Sequence, residues 1–542
     1  MKPLRLNYGI SLASSISVRL RAAAAQPLSF SRTSLWFLAS AVLCLLVADV
    51  AVTALHPWTE LQRLVRGILH PDFTAIEAWS IVLTVAFAVI GVTIGAVSGL
   101  GLAIIYPASL TVRILATVLR SIHELFWALL LIQVFGLGPL TGILAIALPY
   151  CGIFAKVFAE MIEEAELSAV RVLPPGTSAI SAFAYARLPE LMERFKIYTL
   201  YRLECGLRST LILGFVGLPT VGFHLESYFK QGHYAQAAAL LGLFYLLIGT
   251  RRLWARPATL PFLLAASILV LPATIGASSA LTNLVRFLGH DIVPAPLRTG
   301  DPTAWQTWAA LGAWFRPIFT GQILPGIWNT LVLSQIALVC MGILALILFP
   351  LVSHRFLGFA GRTAGRILLV VVRSTPEYML AYVLLQTMGP SMLPAIIALA
   401  VHNAGIVGYL MGRHADVLDY RRDAPTSLNL YAYETVPRLY GQFLAYMLYR
   451  WEIIVRESAI FGILGVRTLG FHVDGAISES RFDVAVVLIL STVLLSAGID
   501  QLSRKLRQAL RIATLPTRLS EGPAASADVG RAVEPTCKGA RA

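Results

Sequence analysis

Runs of about twenty consecutive apolar residues recur along this chain, and no other feature restricts its fold so strongly. A helix of that length spans the hydrocarbon core of a bilayer. Candidate spans are 34–55, 78–105, 112–135, 139–159, 194–216, 235–250, 258–280, 323–350, 365–388, 391–411, 440–463 and 482–500. Spanning strands would need short alternating segments instead, and none are present. Over the 542 residues, 57% are hydrophobic, 13% are charged and mean hydropathy is +0.74. A soluble domain could not cover so much apolar surface with so few charges. The fold class is therefore an all-α membrane protein with about twelve transmembrane helices.

The net charge of +14 does not describe a nucleic-acid face, because the basic residues gather in short loops between apolar runs. Twelve spans place both termini on one side. The N-terminal arm 1–33, the loop with Arg251, Arg252 and Arg256, the loop with Arg355, Arg362 and Arg366, and the tail from Arg504 through Arg511 share that side. The positive-inside rule makes it cytoplasmic, which for a bacterial chain means the plasma (inner) membrane seen from within. Residues 34–55 are longer than the core of a cleaved signal peptide and read as an uncleaved first helix. Four of the five cysteines (Cys44, Cys151, Cys205, Cys340) lie in apolar runs without metal-ligand spacing, so no metal or cofactor is expected. The Pro-, Gly- and Trp-rich linker 281–322 falls outside the cell, and 501–542 forms a cytoplasmic, largely disordered tail.

The chain repeats itself. Leu200-Tyr201-Arg202-Leu203-Glu204 returns as Leu448-Tyr449-Arg450-Trp451-Glu452, and Arg208-Ser209 is echoed by Arg456-Glu457-Ser458. Leu213-Gly214-Phe215-Val216-Gly217 matches Phe461-Gly462-Ile463-Leu464-Gly465, and Gly222-Phe223-His224 matches Gly470-Phe471-His472. Upstream, Arg120 and Glu124 correspond to Arg373 and Glu377. Each half has an even number of spans, so the copies share one orientation. The first unit takes 34–250 (core 78–250) and the second takes 251–500 (core 327–500).

Charges at membrane depth cost at least about 2.5–3.5 kcal/mol each, so they face a cavity or one another. Glu204 and Arg208, and Glu452 and Arg456, are spaced to pair on one helix face, as are Arg120 with Glu124 and Arg373 with Glu377. Arg202 and Arg450 are left as donors for an anion path, the alternative being a structural brace. On the outer side, Gly214, Gly217, Gly222 and His224, with Gly462, Gly465, Gly470 and His472, read as either a gate or plain tight turns. No Walker A segment, HExxH or GxSxG is present, so the chain is expected not to be an enzyme and to draw its energy from another polypeptide or an ion gradient.

The doubled Leu-Tyr-Arg-x-Glu-x-x-x-Arg block running into Leu-Gly-x-x-Gly resembles the permease subunits of phosphonate-type ABC importers, as does Arg-x-x-x-Glu followed by Gly136-Leu137-Gly138-Pro139-Leu140. The likeness covers roughly 78–250 and 327–500. It implies a type I importer fold with both membrane units in one chain, two separate ATP-binding cassette subunits that bind the ATP, and a periplasmic solute-binding protein. The implied cargo is a small phosphorus oxyanion, phosphonate ahead of phosphite or phosphate. The cytoplasmic loops 160–193 and 412–439 would dock the ATPase through a Glu-Ala-Ala…Gly segment. The first loop keeps Gly176 and the closing Leu188-Pro189 but has Val170-Arg171 in place of Glu-Ala; the second has Ala424 at the Gly position and ends in Val436-Pro437. The competing reading is a secondary transporter of two six-helix halves driven by an ion gradient, which predicts no large cytoplasmic loop within each half.

Overall fold

The computed structural model describes residues 29–164, 173–174, 176–178, 181–271, 277–421 and 423–510. Most of the N-terminal arm, the tail beyond 510 and the Val170-Arg171 substitution lie outside the described residues. Among those described there is no strand.

The helices are Phe30–Val47 (α1), Pro57–Leu69 (α2), Ala78–Ile105 (α3), Leu110–Ser121 (α4), Glu124–Phe135 (α5), Pro139–Glu164 (α6), Leu188–Phe215 (α7), Val221–Lys230 (α8), Tyr234–Gly249 (α9), Leu260–Val270 (α10) and Ala277–Arg286 (α11). Trp305–Ile318 (α12) then continues through a wider turn into Leu324–Leu348 (α13). Phe359–Ser374 (α14), Glu377–Met388 (α15), Met392–Val417 (α16), Val436–Glu457 (α17), Leu469–Ser478 (α18) and Phe482–Ala509 (α19) follow. The set α3–α9 corresponds helix by helix to α13–α19, so the repeat read from short motifs extends through the whole of each core.

Each of the twelve apolar stretches contains helix among its described residues, but they are not equivalent. Six are helices long and apolar enough to cross a membrane. Two more, 112–135 and 365–388, are bent pairs: α4 meets α5 at 96° and α14 meets α15 at 89°. The remaining four, α7, α9, α10 and α17, are shorter or carry charges. The bends have local causes. Pro376 lacks an N–H and disfavours helix at Thr375, while His123 turns its Nδ1 to accept from Leu125 N at 3.3 Å, starting a fresh helix. Gly136 (φ 72°) and Gly389 (φ 87°) then end α5 and α15 in the left-handed conformation that glycine adopts without a Cβ penalty.

Within the first unit α3 lies along α6. Gly91, Gly95 and Gly99 form a stripe at every fourth residue, and a Cβ there would stand 2.8 Å from Ile146 Cβ, 2.8 Å from Tyr150 Cβ and 2.5 Å from Phe154 Cβ. Small residues at this spacing let two membrane helices touch along their backbones, where packing rather than hydrophobic burial drives association.

The first helix of each repeat is exchanged. α1 belongs by sequence to the first unit yet packs on α13 and α17 of the second. Phe37 meets Trp451 edge-on at 5.2 Å, Gln335 donates to Ser40 Oγ at 2.8 Å, and Tyr440 donates to Ser34 Oγ at 2.7 Å. Reciprocally, α10 packs on α3 of the first unit.

Candidate translocation site

α7 and α17 carry the charges that the sequence singled out, and their carboxylates do not pair within the helix. Glu204 Oε2 accepts from Arg251 Nε at 2.7 Å, and its Oε1 lies 3.8 Å from Arg373 Nη2 of the other unit. Glu452 Oε1 accepts from Arg120 Nη1 at 2.6 Å, again across the units. Arg120 also donates to Asp500 at 3.0 Å, and Asp500 is held by Arg504 at 3.1 Å. The expected Glu204–Arg208 and Glu452–Arg456 pairs are thus replaced, for Glu452 by Arg120 of the other unit's bent helix and for Glu204 by Arg251 with Arg373 at 3.8 Å. The i, i+4 geometry is available, but Arg120 and Arg373 occupy the last turns of α4 and α14, where the bend aims them at the neighbouring unit.

Arg208 and Arg456 have other work at the same joint. Arg208 Nη1 donates to the carbonyl of Arg373 at 3.1 Å, and Arg456 Nη1 donates to the carbonyl of Arg120 at 2.8 Å. These carbonyls end α4 and α14, where cations satisfy unpaired acceptors and the helix dipole together. Each bent helix therefore sends an arginine to the other unit's glutamate and receives that unit's arginine on its own backbone.

Among the described residues Arg202, Arg208, Arg450 and Arg456 form no ion pair. Arg202 Nε donates to Tyr198 OH at 2.8 Å, with its guanidinium 5.2 Å and 5.8 Å from the Tyr198 and Tyr201 ring centroids. Arg450 Nη1 donates to Asn403 Oδ1 at 3.3 Å. The repeat-related Tyr201 and Tyr449, 44% and 38% exposed, stand beside these arginines on α7 and α17.

Glu124 and Glu377 open α5 and α15 beyond the bends, so neither pairs with the arginine four residues earlier. Here the units differ in chemistry. In the first, Ser209 Oγ donates to Glu124 Oε1 at 3.3 Å and lies 3.3 Å from Tyr150 OH. In the second, Glu457 takes the place of Ser209, and Asn403 Nδ2 donates to its Oε2 at 3.1 Å. Arg251, Asp500, His402, Asn403 and Glu457 are site residues that the motifs do not single out. A signal existed for two of them: His402-Asn403 interrupts the apolar run 391–411.

Beyond the C-terminal ends of α7 and α17 the glycines do more than turn. A Cβ on Gly214 would collide with the backbone of Gly222 and Phe223, and one on Gly462 with Gly470 and Phe471, so each pair lets two chain segments touch. Both hairpins are pinned alike: Val221 N donates to Thr84 Oγ1 at 3.0 Å, and Leu469 N to Thr330 Oγ1 at 3.1 Å. His224 Nε2 lies 2.9 Å from Glu77 and His472 packs beside Gly326, so each histidine is engaged within its own unit. On the opposite side, Gly176 is left-handed (φ 92°) with open space where a side chain would sit. Ala424 instead donates its N–H to Arg421 O at 3.1 Å in a turn braced by the Arg421–Glu434 ion pair. Leu188-Pro189 and Val436-Pro437 place proline in the first turns of α7 and α17.

Comparison with known proteins settles the family. The chain is 30% identical over 204 residues to the phosphite transport system permease protein PtxC of Stutzerimonas stutzeri, a match covering 35% of this chain and 74% of the relative. The chain belongs to the phosphonate-type ABC transporter permeases. It is also 26% identical over 468 residues to the phosphate-import permease protein PhnE of Mycolicibacterium smegmatis, covering 79% of this chain and 84% of the relative. That match is longer than either unit and so spans both halves of this permease. A third relative, the putative cryptic phosphonate transport system permease protein PhnE2 of Escherichia coli K12, is 27% identical over 106 residues, 19% of this chain and 87% of the relative. No family model and no solved structure matches this permease. Its relatives are transport subunits rather than enzymes, and it is a multi-pass membrane protein.

Proposed function

We propose that this permease imports a small phosphorus oxyanion, phosphonate ahead of phosphite or phosphate, across the bacterial plasma membrane with both termini in the cytoplasm. The observation that carries the reading is the set of four arginines on α7 and α17, Arg202, Arg208, Arg450 and Arg456, which form no direct ion pair among the described residues, Glu204 and Glu452 being engaged by Arg251, Arg373 and Arg120. Guanidinium groups without a direct ion pair are costly at membrane depth unless an anion or a polar cavity meets them, and the planar donor fork suits a tetrahedral oxyanion. The named cargoes of the relatives, phosphite and phosphate, belong to the same chemical class.

In this reading the permease itself hydrolyses nothing, ATP being bound by its partners. Two ATP-binding cassette subunits dock at 160–193 and 412–439, through Gly176, Leu188 and Pro189 on one side and Ala424, Val436 and Pro437 on the other. A periplasmic solute-binding protein delivers the anion to the outer hairpins, where Gly214, Gly217, Gly222 and His224 with Gly462, Gly465, Gly470 and His472 act as the gate. ATP binding closes the cytoplasmic side and release reopens it. The test is reconstitution in liposomes with and without the ATP-binding subunits. Uptake that requires ATP and those subunits supports the reading; uptake by the lone chain driven by a proton gradient contradicts it.

A further inference from the structure

The difference between the units at the joint has a chemical meaning. Glu377, His402 and Glu457 each bring one ligand atom into a group whose members lie within 4.8 Å of one another. Glu377 is 8% exposed and His402 is 2% exposed. His402 Nδ1 lies 2.8 Å from the carbonyl oxygen of Thr375. A carbonyl can only accept, so Nδ1 carries the hydrogen, and in the neutral ring Nε2 presents a lone pair. That lone pair faces Glu377 Oε2 at 3.8 Å, beyond a direct hydrogen bond. Three electron-pair donors thus converge on one buried point.

The surroundings are those of a prepared ligand set. A metal-binding histidine ordinarily donates its second nitrogen to a backbone carbonyl or carboxylate, which fixes tautomer and ring orientation; Thr375 does this for His402. Glu457 is oriented by Asn403, whose amide is itself fixed on three sides. Its Nδ2 donates to Leu399 O at 3.1 Å and to Glu457 at 3.1 Å, while its Oδ1 accepts from Arg450 at 3.3 Å. An ion placed among the three atoms lies within about 2.8 Å of each. Inward rotamer shifts of roughly 0.6–0.8 Å reach the 2.0–2.2 Å of zinc–nitrogen and zinc–carboxylate bonds.

We propose that Glu377, His402 and Glu457 form a binding site for one divalent ion of the zinc class, present in the second unit alone. One imidazole and two carboxylates match that class, whereas magnesium and calcium favour all-oxygen sets. The first unit cannot build it, because Pro149 and Ser209 stand at the positions of His402 and Glu457. The ion ties α15, α16 and α17 together beside the inter-unit joint and neutralises two carboxylates there. The inference does not depend on the identity of the transported anion.

The experiment uses the full chain, purified in detergent, stripped with chelator and titrated with Co²⁺. Visible d–d absorption together with elemental analysis reads the stoichiometry, and absence of thiolate charge-transfer bands separates this site from the cysteines. One Co²⁺ per wild-type chain is expected. His402→Gln and Glu457→Ser should weaken binding at least roughly tenfold to a hundredfold. Glu457→Ser installs the residue that the first unit already carries, so the packing tolerates it, and His414→Gln, on the same helix outside the cluster, should bind as wild type does. A wild-type chain that takes up no Co²⁺, or a Glu457→Ser chain that binds it unchanged, overturns the proposal.

Discussion

Arg120 and Glu452 are 332 residues apart in the chain and 2.6 Å apart in the fold, while Arg373 and Glu204 make the reciprocal contact at 3.8 Å. The two contacts place a pair of crossed charges at the joint between the units, beside the two helix breaks. The arrangement is not strictly symmetric. Glu204 serves two arginines, Arg251 and Arg373, whereas Arg120 serves two acids, Glu452 and Asp500.

Removing Arg120 should therefore be severe, because Arg120→Gln strands the buried Glu452 carboxylate and leaves Asp500 to Arg504 alone. A loss of about 3–5 kcal/mol is expected for breaking a buried pair by deleting one partner. Thermal unfolding of Arg120→Gln, Glu452→Gln and the double variant in one detergent measures it. The double variant should be clearly less damaged than the sum of the singles; additivity within about 0.5 kcal/mol would mean that the pair is not coupled.

The α3 stripe gives a second prediction. Gly95→Ala puts a Cβ 2.8 Å from Tyr150 Cβ, where backbone rather than a flexible tip must yield. Destabilisation of about 1–3 kcal/mol is expected from such overpacking. Gly101, on the same helix with open space around it, should tolerate alanine with little change. Equal melting shifts in the two variants would contradict close α3–α6 contact.

A third prediction uses the repeat as its own control. Gly232 ends α8 at φ 72° with His233 N bonded to Tyr228 O at 2.8 Å. Ser480 ends α18 in the same way at φ 58°, with Arg481 N bonded to Ala476 O at 2.8 Å. A non-glycine residue in the left-handed region costs roughly 1–2 kcal/mol. Ser480→Gly should raise the unfolding temperature and Gly232→Ser should lower it; shifts of the opposite sign would show that the serine is favoured by contacts of its own.

Topology is tested by reporter fusions. Those after Arg252 and Arg362 should report cytoplasm, and those at Gly232 and Gly300 periplasm. A cytoplasmic signal at Gly300 breaks the assigned orientation.

Much of this was legible in the sequence. The apolar runs, the parallel repeat, the charged α7 and α17 and the glycine hairpins all follow from local pattern. What was not legible is which carboxylate meets which arginine. Spacing along one helix offers Glu204 the nearest arginine, Arg208, but the bend before His123 and at Pro376 turns Arg120 and Arg373 toward the other unit, and spacing alone carries no information about that turn. The exchange of α1 and α10 is hidden for the same reason, since an apolar helix does not record which neighbour it packs on. Glu457 stands where the first unit has Ser209, and only the fold brings it to Glu377 and His402.

The anion path is the claim on which the functional reading rests, and uptake per folded molecule tests it most directly. Arg202 donates to Tyr198 and Arg450 to Asn403, and neither forms a direct ion pair among the described residues, so Arg202→Gln and Arg450→Gln remove charge without breaking a salt bridge. Both variants should insert and assemble as the parent chain does. Each charge-assisted hydrogen bond to the oxyanion contributes roughly 1.5–3 kcal/mol, which is about a tenfold to hundredfold loss of uptake per arginine. The measurement is ATP-dependent uptake of radiolabelled phosphonate, phosphite and phosphate in liposomes, normalised to folded permease. The account predicts a deep loss in the Arg202→Gln/Arg450→Gln double variant at unchanged assembly; uptake equal to the parent would show that these arginines are braces and that the anion crosses elsewhere.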